Sequence, residues 1–119
     1  MLGIRALKIL EKALVPDHTK LLYVLDDLGK IYIQKEHFSQ AESHLERALR
    51  ICAKASCNSD SLAAVKFSLA RAKWRHGRER SRAQELALQA RELYAGRKYR
   101  KKQVAQIDAW LSKHQTSHH

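Results

Sequence analysis

The feature that most limits how this chain can fold is that it repeats itself. Arg5-Ala6-Leu7 recurs as Arg47-Ala48-Leu49 and Ile9 as Ile51, a shift of 42 residues. The same shift carries Ala41 to Ala83 and Ala48 to Ala90. Between those stretches the shift is 41: Leu21 meets Leu62, Val24 meets Val65, Leu28 meets Leu69 and Gly29 meets Ala70. The difference falls where Gln34-Lys35-Glu36-His37 faces Arg75-His76-Gly77-Arg78-Glu79, a polar connection. Loops accept such slips, whereas packed elements do not. A period of this length marks stacked supersecondary units, none of which buries its apolar face alone.

The units read as helical. The chain has one proline and four glycines in 119 residues and is rich in Ala, Leu, Lys, Arg, Glu and Gln, residues that favour helix. Six helices are expected. Leu2 to Leu14 is the second helix of an incomplete repeat and ends before Pro16, which cannot continue it. Thr19 to Lys35 and Phe38 to Ala55 form the first full pair. The next helix is capped by Asn58, Ser59 or Asp60 and stops at Gly77. Its partner is Ser81 to Ala95, ended by Gly96. A last helix over Arg100 to His114 carries Val104, Ile107 and Leu111, with Trp110 alongside, and closes the stack. The expected organisation is one domain over 1–114, with a half repeat at 2–14, repeats at 19–55 and 59–95, a cap at 100–114 and a frayed tail at 115–119. A chain that begins halfway through a repeat exposes Leu7, Leu10 and Leu14 of its first helix. That face implies further repeats before Met1, or cover by a partner or by a second copy in self-association.

Leu25, Leu28, Gly29 and Tyr32, followed by Ala41, Leu45 and Ala48, have the residue types and offsets of the tetratricopeptide pattern, and the chain resembles that family. The second repeat keeps Leu69, Ala70, Ala83 and Ala90 but has Lys73 at the place of Tyr32, with Trp74 next to it as a substitute aromatic. The resemblance implies an all-α, short right-handed α-solenoid of helix hairpins with a C-terminal capping helix. It also implies a concave face lined by the first helix of each pair, on which peptides lie. The period of 42 and the connector Val15-Pro16-Asp17-His18 are similar to the kinesin light chain type of repeat. Phe67 to Tyr94, with Ala109-Trp110-Leu111, resembles the C-terminal repeat tails of large bacterial Ser/Thr protein kinases. No kinase motif accompanies it, so no phosphotransfer is implied.

Reading outward from the packing positions, Tyr23, Asp26, Lys30 and Ile33 of the first pair face the groove, as do Phe67, Arg71, Trp74 and Arg75 of the second. Aromatics beside guanidinium groups suit a protein or peptide partner with acidic and apolar residues. Charge points the same way. Residues 1–60 carry nine Lys/Arg against eight Asp/Glu, and residues 61–119 fourteen against four, so the net charge of +11 belongs to the second half. A basic patch at Arg78, Arg80, Arg82, Arg97, Lys98, Arg100, Lys101 and Lys102, with Tyr99 interleaved, offers an alternative partner, nucleic acid or another polyanion.

Other chemistry finds little support. Asp26 and Asp27 are neighbours on one helix and point about 100° apart, so no acid pair is expected to share a site, and no phosphate loop or nucleophile elbow is present. The chain reads as a non-enzyme without cofactor. The seven histidines are scattered and form no metal motif. Cys52 replaces Leu10 one period on and reads as a small core residue, and Cys57 falls in a connector. Two cysteines do not make a disulfide scaffold, and a reducing, cytoplasmic setting is expected. No apolar run approaches the roughly 20 residues that span a bilayer, and the charged start is not a signal peptide.

Overall fold

The computed structural model describes residues 20–55 and 57–115. The half repeat expected at 2–14, with the leucines expected to be exposed on it, lies outside the described residues, and the self-association drawn from them does too. Among the described residues there are five helices and no strand: α1 (Lys20–Gln34), α2 (Phe38–Ala55), α3 (Ser59–His76), α4 (Arg80–Tyr94) and α5 (Lys101–Lys113). α1 packs on α2 and α3 on α4 as two hairpins, α3 also packs back on both helices of the first hairpin, and α5 lies on α4. The protein is all-α, built from tetratricopeptide-like hairpins closed by a further helix.

The spacing of small and large residues explains the hairpins. Ala41, Leu45, Ala48 and Cys52 are buried along one stripe of α2, and Ala83, Ala87, Ala90 and Tyr94 along the same stripe of α4. Opposite them, Leu21, Leu25, Leu28 and Gly29 of α1 are buried. Gly29 is where the backbones close in: a Cβ there would stand 2.6 Å from Leu45 Cγ. The second hairpin solves the same contact differently. The repeat-equivalent positions hold Ala70 and Ala87, both fully buried, so the methyl group missing from Gly29 is traded against a shorter side chain across the interface.

The turns differ as the slip in period requires. Glu36 closes the first with φ 62°; its N–H donates to Ile33 O at 3.0 Å and the His37 N–H to Tyr32 O at 2.8 Å, the paired bonds of a Schellman ending. Gly77 closes the second with φ 84°, its N–H donating to Lys73 O at 2.9 Å. Asn58 caps α3 by accepting from the Ser61 N–H at 2.8 Å.

Two expectations are corrected. Trp74 does not take the place of Tyr32. Lys73 keeps that position, is buried, and reaches Glu79, Glu42 and Glu46 at 2.7, 3.1 and 3.4 Å, while Trp74 packs edge-on against Trp110 of α5. The lysine is the better choice where three carboxylates from α2 and the α3–α4 turn converge, because a buried cation is tolerated only when paired. His76 also meets Glu42 through Nδ1. The second correction concerns the cysteines: Cys52 is buried as expected, but it is joined to Cys57 in a disulfide across the α2–α3 connection. The bond removes the argument for a reducing compartment that two thiols had supplied.

Candidate partner-binding site

The first helices of the two hairpins are separated by a hollow of about 430 Å³. Leu22, Tyr23, Asp26, Asp27 and Lys30 of α1 form one wall. Ser61, Ala64 and Val65 of α3 form the other, with Asn58, Asp60 and Arg100 at one end. The periodicity of α1 puts Leu22, Asp26 and Lys30 on a single line, and the Lys30 Nζ sits 3.1 Å from Asp26 Oδ2. Tyr23 stands at the rim, 64% exposed. At the far end Asp60 accepts from Arg100 Nε at 3.0 Å and Nη2 at 2.5 Å, and Arg97 Nε lies 3.3 Å from its other oxygen. The hydrogen bond from Arg100 holds the Asp60 carboxyl below the usual carboxylate range, against the opposing effect of desolvation. Asp60 is thus an ionised anchor for the α4–α5 connection and not a proton donor.

A second hollow, of about 230 Å³, opens between α3 and α5. Phe67 and Arg71 come from α3, and Gln106, Ala109, Trp110, Lys113 and His114 from α5 and its end. Arg71 lies over the Phe67 ring, 5.8 Å from its centroid, and Phe67 meets Trp110 edge-on at 5.8 Å. His114 stacks on Trp110 at 4.6 Å, and its carbonyl accepts from Gln84 Nε2 at 2.9 Å. The lining carries cationic groups from both helices and no carboxylate.

Of the eight groove residues expected, Tyr23, Asp26 and Lys30 line the first hollow and Arg71 the second. Ile33 is buried in the core, and Phe67, although also buried, lines the second hollow beside Arg71. Trp74 is covered by Trp110, His114 and the Arg80 guanidinium, which lies 4.8 Å above its ring. Arg75 turns towards the first hairpin, over Phe38 at 5.1 Å and 3.8 Å from Glu36. For Ile33, Phe67 and Trp74 the cause is packing against neighbouring helices, which fills the space these side chains would otherwise face. Trp110, Lys113 and Gln106 were missed as site residues. The apolar line of α5 through Val104, Ile107 and Leu111 marked it as a cap, and a cap also has a second edge. Asp26, Asp27 and Asp60 all line the first hollow.

The basic patch is half engaged. Arg80 also donates to Trp74 O at 3.3 Å, Arg82 lies 3.4 Å from Glu85, and Arg97 and Arg100 hold Asp60. Arg78, Lys98, Lys101 and Lys102 are exposed. Among the described residues no group of three or more His, Cys, Asp or Glu side chains could hold a metal ion, and no helix is long and apolar enough to cross a membrane.

The tetratricopeptide repeat family matches over residues 1–54. Over that stretch the chain carries tetratricopeptide repeat sequence. The match covers the first hairpin, where Gly29, Ala41, Leu45 and Ala48 make the close approach just described, and the second hairpin repeats its packing with Ala70, Ala83, Ala87 and Ala90. Tetratricopeptide repeats mediate protein–protein interaction, and the first helices of the pairs, α1 and α3, are the ones that border the hollows. No curated protein and no solved structure matches the chain.

Proposed function

We propose that this protein is a non-catalytic binding module that captures a protein or peptide partner on the concave face formed by α1, α3 and α5, as an adaptor or as the regulatory tail of a larger protein. The partner segment is acidic and apolar where it crosses the α3–α5 hollow. The observation that carries this reading is the composition of that hollow. Arg71 lies over the Phe67 ring, Trp110 and Lys113 line the hollow beside them, and the lining holds no carboxylate to neutralise the two cations. Arg forks onto carboxylates and the ring edges supply contact area. The polyanion reading draws on Arg78, Lys98, Lys101 and Lys102, which are exposed and line neither of the two hollows.

The test is fluorescence anisotropy with a labelled, end-capped peptide of glutamates around a phenylalanine. Arg71→Glu is expected to weaken binding by about tenfold or more, as loss of a charge-assisted contact plus a like-charge repulsion would. Neutralising Lys98, Lys101 and Lys102 together is expected to change it little. The reverse pattern, with a steep linear fall of log affinity against log salt, belongs to polyanion binding and overturns the proposal.

A further inference from the structure

The α1–α3 hollow contains a carboxylate with an oxygen that no group satisfies. Asp26 is 8% exposed; one oxygen is paired with Lys30 at 3.1 Å and the other, Oδ1, is buried without a hydrogen-bond partner. An unsatisfied buried acceptor is destabilising, and its retention in a folded protein asks for a reason such as a missing donor. Beside it, Asp27 lines the same hollow, exposed and without an ion pair among the described residues. Asp60 is already neutralised by Arg97 and Arg100. The α1 wall therefore keeps an excess of negative charge, opposite in sign to the α3–α5 hollow.

The rest of the lining selects the cation. Leu22, Ala64 and Val65 are the apolar residues of the hollow, suited to a methylene stem. Tyr23 offers an exposed ring at the rim, the surface over which a planar cation stacks. The terminal torsion of an aspartate is broad and two-fold. Once Lys30 is displaced, rotation therefore presents either Asp26 oxygen to the hollow. We infer that this hollow receives an arginine side chain of the bound partner, its guanidinium donating to Asp26 and Asp27, its stem on Leu22 and Val65, and its face towards Tyr23. Lys30 is then an internal stand-in that the ligand displaces. The inference rests on the reading of the α1, α3 and α5 face as the ligand-bearing one, and it makes that face bipolar: a basic residue at the α1 end, acidic residues at the α5 end.

The experiment is an NMR titration of the full ¹⁵N-labelled chain with N-acetyl-arginine amide and, separately, with its neutral isostere N-acetyl-citrulline amide. The arginine probe is expected to shift the backbone amides of Asp26, Asp27, Ser61 and Ala64 saturably, with at least about tenfold tighter binding than the citrulline probe, the margin of one charge-assisted contact. Asp26→Asn is expected to erase that preference. Lys30→Gln, its fold checked by an otherwise unchanged spectrum, is expected to tighten arginine binding, because the internal competitor is gone. A structural role for the Asp26–Lys30 pair would not do this. Equal shifts from the two probes, or weaker arginine binding by Lys30→Gln, overturns the inference. The glutamate–phenylalanine peptide, read at the Trp110 indole and Arg71 signals, separates the two readings. If that peptide binds and arginine does not, only the arginine subsite fails. If arginine binds and the peptide does not, the α3–α5 assignment fails, and silence of both overturns both.

Discussion

Glu36 sits in the left-handed region at φ 62°, at the position where the second hairpin uses Gly77 at φ 84°. A side chain there costs about 1–2 kcal/mol, and glycine returns part of that through greater freedom in the unfolded chain. Glu36→Gly is therefore expected to stabilise the protein by about 0.5–1 kcal/mol, read as a higher urea midpoint at unchanged slope. Among the described residues the ion pair lost is the exposed contact with Arg75 at 3.8 Å, worth little. Three other residues set the response to acid. Hydrogen bonds hold two carboxyls below their ordinary range, Glu79 through Lys73 and Asp60 through Arg100. A carboxyl depressed in the folded state binds fewer protons there than when unfolded, so its contribution is full above the ordinary carboxylate range and is lost as pH falls below it. Burial alone would lower the Lys73 ammonium, but hydrogen bonds to Glu79 and Glu42 outweigh this and raise it, so its share persists until alkaline pH. Burial, helped by Arg47, holds the His44 imidazole below its ordinary range, so urea midpoints are expected to begin falling as pH drops through the ordinary histidine range and to fall further below about 5 as the two carboxyls protonate. Arg100→Gln is expected to flatten the acid limb, and an unchanged limb would remove Asp60 from the account.

At the scale of the helices, the close approach of α1 and α2 is the feature most legible in the sequence. Gly29, Ala41 and Ala48 recur at their offsets as Ala70, Ala83 and Ala90 because backbone proximity leaves room for little else. Gly29→Ala is expected to destabilise by about 1–3 kcal/mol through overpacking, since its Cβ would meet Leu45. Combined with Leu45→Ala, which imitates the Ala70–Ala87 arrangement, the added cost of the Gly29 change is expected to shrink towards zero in a double-mutant cycle. Strict additivity would show that the two hairpins do not share this contact. What the sequence hid depends on how elements dock. Ile33 and Phe67 obey the same periodicity as groove residues and differ only in being covered by neighbouring helices. Trp74 is read as groove surface until α5 lays Trp110 and His114 against it. The α5 edge that completes the second hollow carries no apolar pattern, so nothing in its spacing announced it. The Cys52–Cys57 bond likewise depends on where α2 ends, which two isolated cysteines do not state.

Over the whole molecule, the uneven charge of the chain resolves into separate surfaces. Part of the positive excess of the second half is spent internally, as Arg91 on Asp108 and Arg97 and Arg100 on Asp60, both of which tie the closing helix to the hairpins. Part remains free at the helix junctions, and part lies over aromatic rings beside α5. Only the last is arranged as a site. The most direct test is to map the chemical-shift footprint of the glutamate–phenylalanine peptide on the intact chain. The account predicts perturbations at Arg71, Gln106, Trp110 and Lys113, with the outer faces of α2 and α4 silent. A footprint centred on Arg78, Lys98, Lys101 and Lys102 with Arg71 and Trp110 unmoved would contradict it.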